Sequence, residues 1–198
     1  LSEITPDIFS QGIKHTNTNA LENSSSQRIK PKEDLILGNV YSVQDLLYRM
    51  LAYSDNTSAQ MLSTNFVSPD YLNKILLAVG LQVNKEGETE NILTAKSYAN
   101  IFRTLYNASF LSRESSNKVL NILAQSTFNE GATALLPKNV KVSHKFGERI
   151  IVDEKENIII QQLHDCGIVY AKNGDEPYTF CILTEGKKYD DLKYIIQN

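Results

Sequence analysis

The chain has 198 residues, and its 41% hydrophobic and 22% charged fractions are ordinary for a globular protein that buries a real core. Its net charge is -3 and it has no basic cluster, so no nucleic-acid partner is expected. The longest apolar runs, such as ILLAV at 75–79, are far too short for a membrane span. Two cysteines and three scattered histidines indicate neither a disulfide framework nor a metal site, and no cofactor is predicted.

The first two thirds of the chain are predicted to be a lead-in followed by helices. Residues 1–40 are polar and rich in Asn, Ser and Thr, which favours an irregular lead-in. A helical part over 41–136 begins at Ser42, which has capping-box spacing to Asp45 and precedes apolar residues at helical intervals. The further helices predicted here begin at Asn56 or Thr57 and cover 69–79, 95–107 and 112–124, the last opening on a capping Ser112.

After Pro137 the composition shifts to Val, Ile, Tyr and Phe, which predicts strands. The predicted strands cover 140–152, 158–171 and 177–186, the last two joined as a hairpin by the turn sequence KNGDEP, and a closing amphipathic helix follows. The order predicts one α+β domain over 1–198, in which a helical subdomain is combined with an antiparallel sheet flanked by helices.

The tripeptide Ser54-Asp55-Asn56 interrupts a helical pattern and has two interpretations. All three residue types cap helices well, so it can be an ordinary helix end that runs into an N-cap. It can also present a hydroxyl and an amide to a ligand. Downstream, Lys145-Phe146-Gly147 stands on a predicted strand, and HDCGIVY follows on the next one.

With LILGNVYSVQDLLYRML before the tripeptide, this order resembles the class A β-lactamase and penicillin-binding-protein family of active-site serine hydrolases. The tripeptide matches the Ser-Asp-Asn motif of that family, and 145–147 falls where its Lys-Thr-Gly motif is expected. The resemblance covers about residues 30–198. It implies a β-lactamase-like fold whose N-terminal strands and nucleophile helix are absent from this segment.

The resemblance also implies catalytic roles for Ser54, Asn56 and Lys145. Ser54 would relay a proton to the departing nitrogen, and Asn56 would orient the substrate amide and the catalytic lysine. Lys145 would supply a positive field for the substrate carboxylate, although a strand lysine that is simply solvated is the ordinary alternative. In substrate binding, Gly147 would let the backbone approach the substrate, and the Glu148 backbone N–H would be an oxyanion-hole donor.

Phe146 departs from the family pattern, which has Thr or Ser at this position. A hydroxyl there would bind the substrate carboxylate, so altered substrate choice or lost activity follows, and Phe146 is a candidate substrate contact. Strand alternation predicts Ser143, Lys145 and Gly147 on one face. The opposite, helix-facing side should then hold Phe146, packed with Val142.

The nucleophile motif Ser-x-x-Lys is not found ahead of the tripeptide. The segments 10–14 and 26–30 are each one residue too long, and the single match, 115–118, follows the tripeptide on a helix that the resemblance places away from the cleft. We therefore do not assign 115–118 as the nucleophile, and expect the nucleophile helix and first strands to precede Leu1.

The segment 81–102 is too short for the long loop that carries the deacylating Glu of class A β-lactamases, and it lacks the Glu-x-x-x-Asn spacing. Glu86, Glu88 and Glu90 are predicted to form a solvated acidic turn. The expected function is an extracytoplasmic acyl-serine hydrolase acting on cell-wall D-Ala peptides or β-lactams, of DD-peptidase type or slow in turnover, and poor at β-lactam deacylation.

Two alternatives stay open at this point. One is a catalytically silent family member that binds wall peptide or a protein partner, and the other is an unrelated α+β interaction domain in which the motif order is coincidence. A Ser-x-x-Lys about 50 to 70 residues before Ser54 would favour the enzyme.

The cysteines are predicted to be cross-strand neighbours. A turn centred near Gly174 pairs residues whose numbers sum to about 347, and Cys166 and Cys181 meet that sum. The strain of a cross-strand bond and the preference of cysteine for buried apolar sites favour two unbonded thiols over a disulfide.

Overall fold

The computed structural model describes residues 6–16, 28–79, 93–171 and 176–198. The chain divides into two compact units, Leu1–Ser68 and Pro69–Asn198, which are described in turn. That the two units belong to one domain over residues 1–198 stays a prediction. The predicted acidic turn with Glu86, Glu88 and Glu90 lies outside the described residues. Within the described ranges, no helix is long and apolar enough to cross a membrane.

The first unit contains three helices and a two-stranded antiparallel sheet among its described residues. In chain order they are α1 (Pro6–Ser10), β1 (Gly12–Lys14), β2 (Val40–Ser42), α2 (Val43–Ala52) and α3 (Asn56–Phe66). The core of the unit lies among α2, α3 and β1, and its buried apolar residues are Ile13, Leu35, Val43, Leu46, Met61 and Leu62.

The prediction that residues 1–40 are irregular is wrong for 6–14, which form α1 and β1. The reason is a short apolar pattern within the polar lead-in. Ile8 and Phe9 pack against the core, and Ile13 belongs to it, with 7% of its surface exposed. Strand β1 then gains its backbone partners from β2, which follows 25 residues later in the chain and could not be paired with it by local pattern.

Both predicted serine caps are confirmed. Ser42 caps α2 by accepting the Asp45 backbone N–H at 3.1 Å. In the second unit, Ser112 accepts the Ser115 backbone N–H at 3.1 Å. In each case the side-chain oxygen satisfies a donor that has no partner inside the helix, which explains why these helices begin where they do.

The second unit is an antiparallel sheet with helices. Its strands, in sheet order, are β3 (Lys141–Val152), β4 (Ile158–Tyr170) and β5 (Tyr178–Gly186). Its helices are α4 (Pro69–Ala78), α5 (Ala95–Tyr106), α6 (Arg113–Leu123) and α7 (Tyr189–Gln197). The α+β class and the predicted β4–β5 hairpin are confirmed.

Helices cover both faces of this sheet. On one face, the Ser143 hydroxyl donates to the Leu120 carbonyl of α6 at 2.7 Å. On the other face, a Cβ added to Gly186 would lie 3.1 Å from Leu192 of α7. The side chains that alternate along β3 therefore face two different sides of the sheet, one covered by α6 and the other by α7.

Phe146 lies on the second of these faces and is 2% exposed, as predicted. Its ring packs on that of Phe128, with centroids 4.5 Å apart, and Val142 on the same face is also buried. Phe128 comes from the irregular segment between α6 and β3, which is why the sequence pattern did not identify it as the partner.

The predicted register of the cysteines is confirmed, but the prediction of unbonded thiols is wrong. Cys166 and Cys181 are direct partners in the β4–β5 ladder and form a disulfide. Their Cα atoms are 4.0 Å apart. That separation belongs to a non-hydrogen-bonded antiparallel pair, in which the side chains approach most closely, so the two sulfurs meet.

The disulfide should stabilise the second unit. It closes a loop with a sequence separation of 15, for which the loss of chain entropy in the unfolded state corresponds to about 3 kcal/mol. Urea unfolding with and without a thiol reductant should therefore show a lower midpoint for the reduced protein. A Cys166→Ala/Cys181→Ala variant should not respond to reductant, and an unchanged midpoint in the wild-type protein would contradict the assignment.

Candidate functional site

The predicted tripeptide forms a strained turn between α2 and α3. Helix α2 ends at Ala52, and Ser54 adopts a positive φ of 56°, in the left-handed region. A non-glycine residue there costs roughly 1–2 kcal/mol, so the surrounding structure must hold it in place. The reversal lets the Asp55 backbone N–H donate to the Arg49 carbonyl at 3.2 Å and makes Asp55 the N-cap of α3.

Asp55 anchors this turn through both oxygens of its carboxylate. One oxygen accepts the backbone N–H groups of Thr57 and Ser58, at 2.9 and 3.1 Å. The other accepts the Ser58 hydroxyl at 2.9 Å. Asp55 is only 2% exposed, so the helix-cap interpretation of the tripeptide describes its central residue correctly.

Arg49 supplies the positive charge next to this buried carboxylate. Arg49 is 8% exposed. Its Nη1 lies 3.8 Å from Asp55 Oδ2, and its Nε lies 3.4 Å from Asp45 Oδ2. It also donates to the Glu33 carbonyl at 2.8 Å, which ties the chain before β2 to α2. The sequence reasoning missed this cluster; the i, i+4 spacing of Asp45 and Arg49 was its one readable signal.

Ser54 and Asn56 lie on either side of this anchor. Ser54 is half-buried, and Asn56 is exposed at the first position of α3. Asp55 fixes the backbone of the turn between them through its cap of α3. That this turn presents a hydroxyl and an amide to a ligand stays a prediction.

Lys145 lies on β3, an edge strand of the described sheet. Its Nζ donates to the Phe146 carbonyl at 2.8 Å and lies 4.7 Å from the centroid of the Phe146 ring. Burial lowers the pKa of Lys145 to about 8, and the negative charge of Asp165 partly opposes this shift. Lys145 is thus half-buried, with its ammonium group hydrogen-bonded to the backbone of its own strand.

Gly147 faces open space. A Cβ added there would meet no described atom within 4 Å, so internal packing does not require glycine at this position. His164 is its direct partner on β4, and directly opposed side chains project from the same face. Burial lowers the pKa of His164, and its Nδ1 is buried without a hydrogen-bond partner among the described residues.

The direction of the Glu148 backbone N–H follows from the pairing of β4. The 4.0 Å separation of the Cα atoms shows that Cys166 and Cys181 are a non-hydrogen-bonded pair of the ladder. In a regular sheet the backbone N–H and C=O of Cys166 then point to the other neighbouring strand, where they bond the backbone of Lys145. Alternation then directs the backbone groups of Phe146 and Glu148 away from β4, off the edge of the sheet. The bond from Lys145 Nζ to the Phe146 carbonyl agrees with this direction.

A buried carboxylate lies behind the strand. Asp165 has no exposed surface, is hydrogen-bonded to His144 Nδ1 at 2.8 Å, and accepts the Ala132 backbone N–H at 3.0 Å. Burial, together with the Asp165 charge, raises the pKa of Tyr98 to about 12, and the Tyr98 hydroxyl donates to the Lys145 carbonyl at 3.3 Å. Sequence reasoning missed this group, because strand parity predicts a shared face but not which polar atoms meet.

The candidate residues thus form two groups. Ser54 and Asn56 belong to the first unit, whereas Lys145, Gly147 and Glu148 belong to the second. Their predicted convergence on one cleft stays a prediction. Among the described residues, no three His, Cys, Asp or Glu side chains are grouped so that they could hold a metal ion.

The lowered pKa of Lys145 predicts a pH dependence of stability. The side chain titrates near pH 8 in the folded protein and near 10.5 when unfolded. Between these values the unfolded chain binds more protons, so the free energy of unfolding should rise with pH. The measurement should stop near pH 10. Above that pH the raised pKa of Tyr98 means that the folded protein binds more protons than the unfolded chain at this group, which lowers the free energy of unfolding as pH rises. Urea unfolding from pH 8 to 10 should show this rise in the wild-type protein and not in Lys145→Met. If the free energy of unfolding changes equally with pH in both proteins, the lowered pKa of Lys145 is contradicted.

Asp55→Ala should destabilise the first unit. The change removes three hydrogen bonds and leaves the buried Arg49 with less compensation, which should lower the free energy of unfolding by about 2–4 kcal/mol. Asp45→Ala is the matched control: it removes a partner of the same arginine whose side chain is 44% exposed, and should cost less than about 1 kcal/mol. Equal losses in urea unfolding would show that Asp55 is not the anchor.

Solved structures with the same fold agree with this architecture. PBP-A superposes with a TM-score of 0.71 at 18% identity, covering 95% of this chain and 68% of that one. A β-lactamase from Xanthomonas campestris pv. campestris gives a TM-score of 0.72 at 20% identity, with coverages of 94% and 69%. A class A β-lactamase from Mycobacterium abscessus gives 0.71 at 19% identity, with coverages of 96% and 72%.

No curated protein sequence matches the chain. The family model described as the β-lactamase enzyme family matches residues 14–198, which is nearly the whole length. By that match, the chain belongs to the β-lactamase enzyme family.

Proposed function

We propose that the chain is the substrate-positioning part of an acyl-serine hydrolase that acts on cell-wall D-Ala peptides or β-lactams outside the cytoplasm. The observation that carries this proposal is the edge of β3. Lys145, Gly147 and the Glu148 backbone N–H offer there a half-buried ammonium group, an open surface and a donor directed off the sheet. These are the groups that an anionic substrate with a reacting carbonyl requires.

The roles proposed for the first unit rest on the turn at Ser54. A proton relay needs a hydroxyl whose position is fixed before the substrate arrives. The positive φ of Ser54 and the three hydrogen bonds of Asp55 supply that rigidity. Asn56 offers both a donor and an acceptor from the exposed first turn of α3, which suits the orientation of a substrate amide.

The solved relatives support the type of chemistry. A variant of PBP-A has been solved as an acyl-enzyme complex with penicillin G. At 18% identity that likeness shows the fold, and its extension to this chain is part of the proposal.

Phe146 favours a second candidate function, a silent family member that binds wall peptide. Its ring is buried against Phe128, so this position offers no hydroxyl to a substrate carboxylate. A binder would retain the positive charge of Lys145 and lack turnover.

Acylation by a fluorescent penicillin separates the two functions. The gene upstream of the Leu1 codon is first sequenced for a Ser-x-x-Lys about 50 to 70 residues before Ser54, and the encoded polypeptide is incubated with the label. We expect labelling on that serine, slowed on the order of a hundredfold or more in Ser54→Ala and in Lys145→Ala, while Lys188→Ala, on the surface, labels normally. Unlabelled polypeptide would support the silent binder, and equal labelling of Lys145→Ala would overturn the role of the lysine.

The 198-residue chain alone should not be labelled, because the single Ser-x-x-Lys in its sequence, 115–118, is not assigned as the nucleophile. Ser115 is an exposed residue of the capped first turn of α6, whose hydroxyl accepts from Ser112 at 3.0 Å. Labelling that maps to Ser115 would show that its Ser-x-x-Lys spacing was wrongly set aside.

Gly147→Ala tests close backbone approach without disturbing the fold. Its new Cβ meets no described atom within 4 Å, so the free energy of unfolding should change by less than about 0.5 kcal/mol, while acylation should slow by about tenfold. Gly167→Ala is the matched control, since a Cβ there would lie 2.5 Å from the Ser143 carbonyl and must destabilise the sheet. Normal acylation of Gly147→Ala would contradict the proposed approach.

A further inference from the structure

A second polar surface of the sheet-containing unit lies between α6 and the start of β3. It is a groove with a volume of about 710 Å³, and we call it the α6 groove. Its lining comes from the end of α5, one side of α6, the start of β3 and the end of β4; the residues are Tyr106, Asn107, Arg113, Asn117, Leu120, Asn121, Lys141 and Tyr170.

The two cations of the α6 groove are held by neutral groups. Arg113 donates from Nη1 to the Tyr106 carbonyl at 2.8 Å and from Nη2 to the Asn107 carbonyl at 3.4 Å. Lys141 Nζ donates to Asn121 Oδ1 at 2.7 Å and lies 5.0 Å from the centroid of the Tyr170 ring. Within the described part of the chain, neither cation forms a salt bridge with a carboxylate, so both charges are positioned but not neutralised.

The spacing of these cations argues against a single small anion as the ligand. Arg113 begins α6, and Asn121, which Lys141 contacts, lies eight residues further along it. At 1.5 Å per residue, the two points are about 12 Å apart along the helix axis. One carboxylate or phosphate group cannot contact both, so the ligand must carry acidic groups at intervals.

The groups between the cations indicate a ligand rich in hydroxyls. Asn117 lies on the same side of α6, four residues after Arg113, and no described residue is hydrogen-bonded to its side-chain amide. Since Asn121 accepts from Lys141 through Oδ1, its NH₂ remains as a donor. The ring of Tyr106, which is exposed, adds a flat apolar surface to the lining, against which a sugar ring can pack.

We propose that the α6 groove binds a linear acidic saccharide, with one carboxylate at Arg113, another at Lys141 and hydroxyls at the asparagine amides. A nucleic acid is disfavoured because its phosphates demand many more cations than two, and the chain carries a net charge of -3. The groove contains none of Ser54, Asn56 or Lys145, so this proposal uses none of the residues proposed to act in acylation.

Tetragalacturonate is the probe, with its fully methyl-esterified tetramer as the ligand control and isothermal titration calorimetry as the measurement. The wild-type chain should bind the acid saturably, and Lys141→Gln and Arg113→Gln should each weaken binding by about tenfold, since each removes one charge-assisted contact. Lys141→Arg, which keeps the charge, should bind like the wild type.

A Lys96→Gln/Lys188→Gln variant removes two exposed cations of the same unit outside the groove and should leave the affinity unchanged. Urea unfolding verifies that each variant is folded; if Arg113→Gln unfolds, Lys141→Gln decides. The proposal is overturned if the acid does not bind, if the methyl ester binds equally well, or if Lys96→Gln/Lys188→Gln weakens binding as much as Lys141→Gln. Equal binding of tripolyphosphate would also overturn it, because the groove would then select charge alone.

Discussion

Strand β4 is paired along both of its edges, and its register decides where every candidate group of the second unit points. A shift of one residue would exchange the two faces of β3, which would move Phe146 away from Phe128 and bring Lys145 to that apolar face instead. Two features fix this register. Phe146 packs on Phe128 on one side, and the Cys166–Cys181 disulfide links β4 to β5. The open surface at Gly147 and the outward direction of the Glu148 N–H are consequences of that register and not of their own residue types.

In the first unit, the main constraint is the strained residue Ser54 between α2 and α3. The left-handed conformation of Ser54 is unfavourable in isolation. Asp55 compensates by capping α3, and Arg49 offsets the cost of burying the carboxylate. Neither of these two residues needs to touch a substrate, so their value to a site would lie in the fixed position they give to Ser54 and Asn56.

Local signals made most of the helices and strands predictable. Ser42 and Ser112 mark their helices because a cap is formed by residues three positions apart, and the turn near Gly174 gives the β4–β5 register by simple addition. Contacts that join distant parts of the chain were not predictable in the same way. The pairing of β1 with β2 and the approach of Phe128 to Phe146 both depend on tertiary packing. For the cysteines, the pairing of Cys166 with Cys181 could be predicted from the turn. Whether they form a disulfide could not, because it depends on whether the pair occupies a hydrogen-bonded or a non-hydrogen-bonded position of the ladder.

The candidate site shows the same division. Ser54, Asn56 and Lys145 were identified from motif order, whereas the properties that make Lys145 useful come from its surroundings. Burial lowers its pKa to about 8, and Asp165, on the opposite face of the sheet, limits that shift, so the ammonium form still predominates at neutral pH. No spacing rule connects these two residues, because one lies on β3 and the other on β4.

Phe146 then determines what kind of recognition this charge can provide. The family pattern has a hydroxyl at this position, whereas the phenyl ring found here is buried against Phe128 and offers no hydrogen bond. The Lys145 ammonium is itself directed by the Phe146 carbonyl at 2.8 Å and by the ring beneath it. Under the proposed function, attraction to an anion would be retained while angular discrimination would be reduced. Selection among the proposed substrates would then depend more on shape, in particular on what can approach the open surface at Gly147.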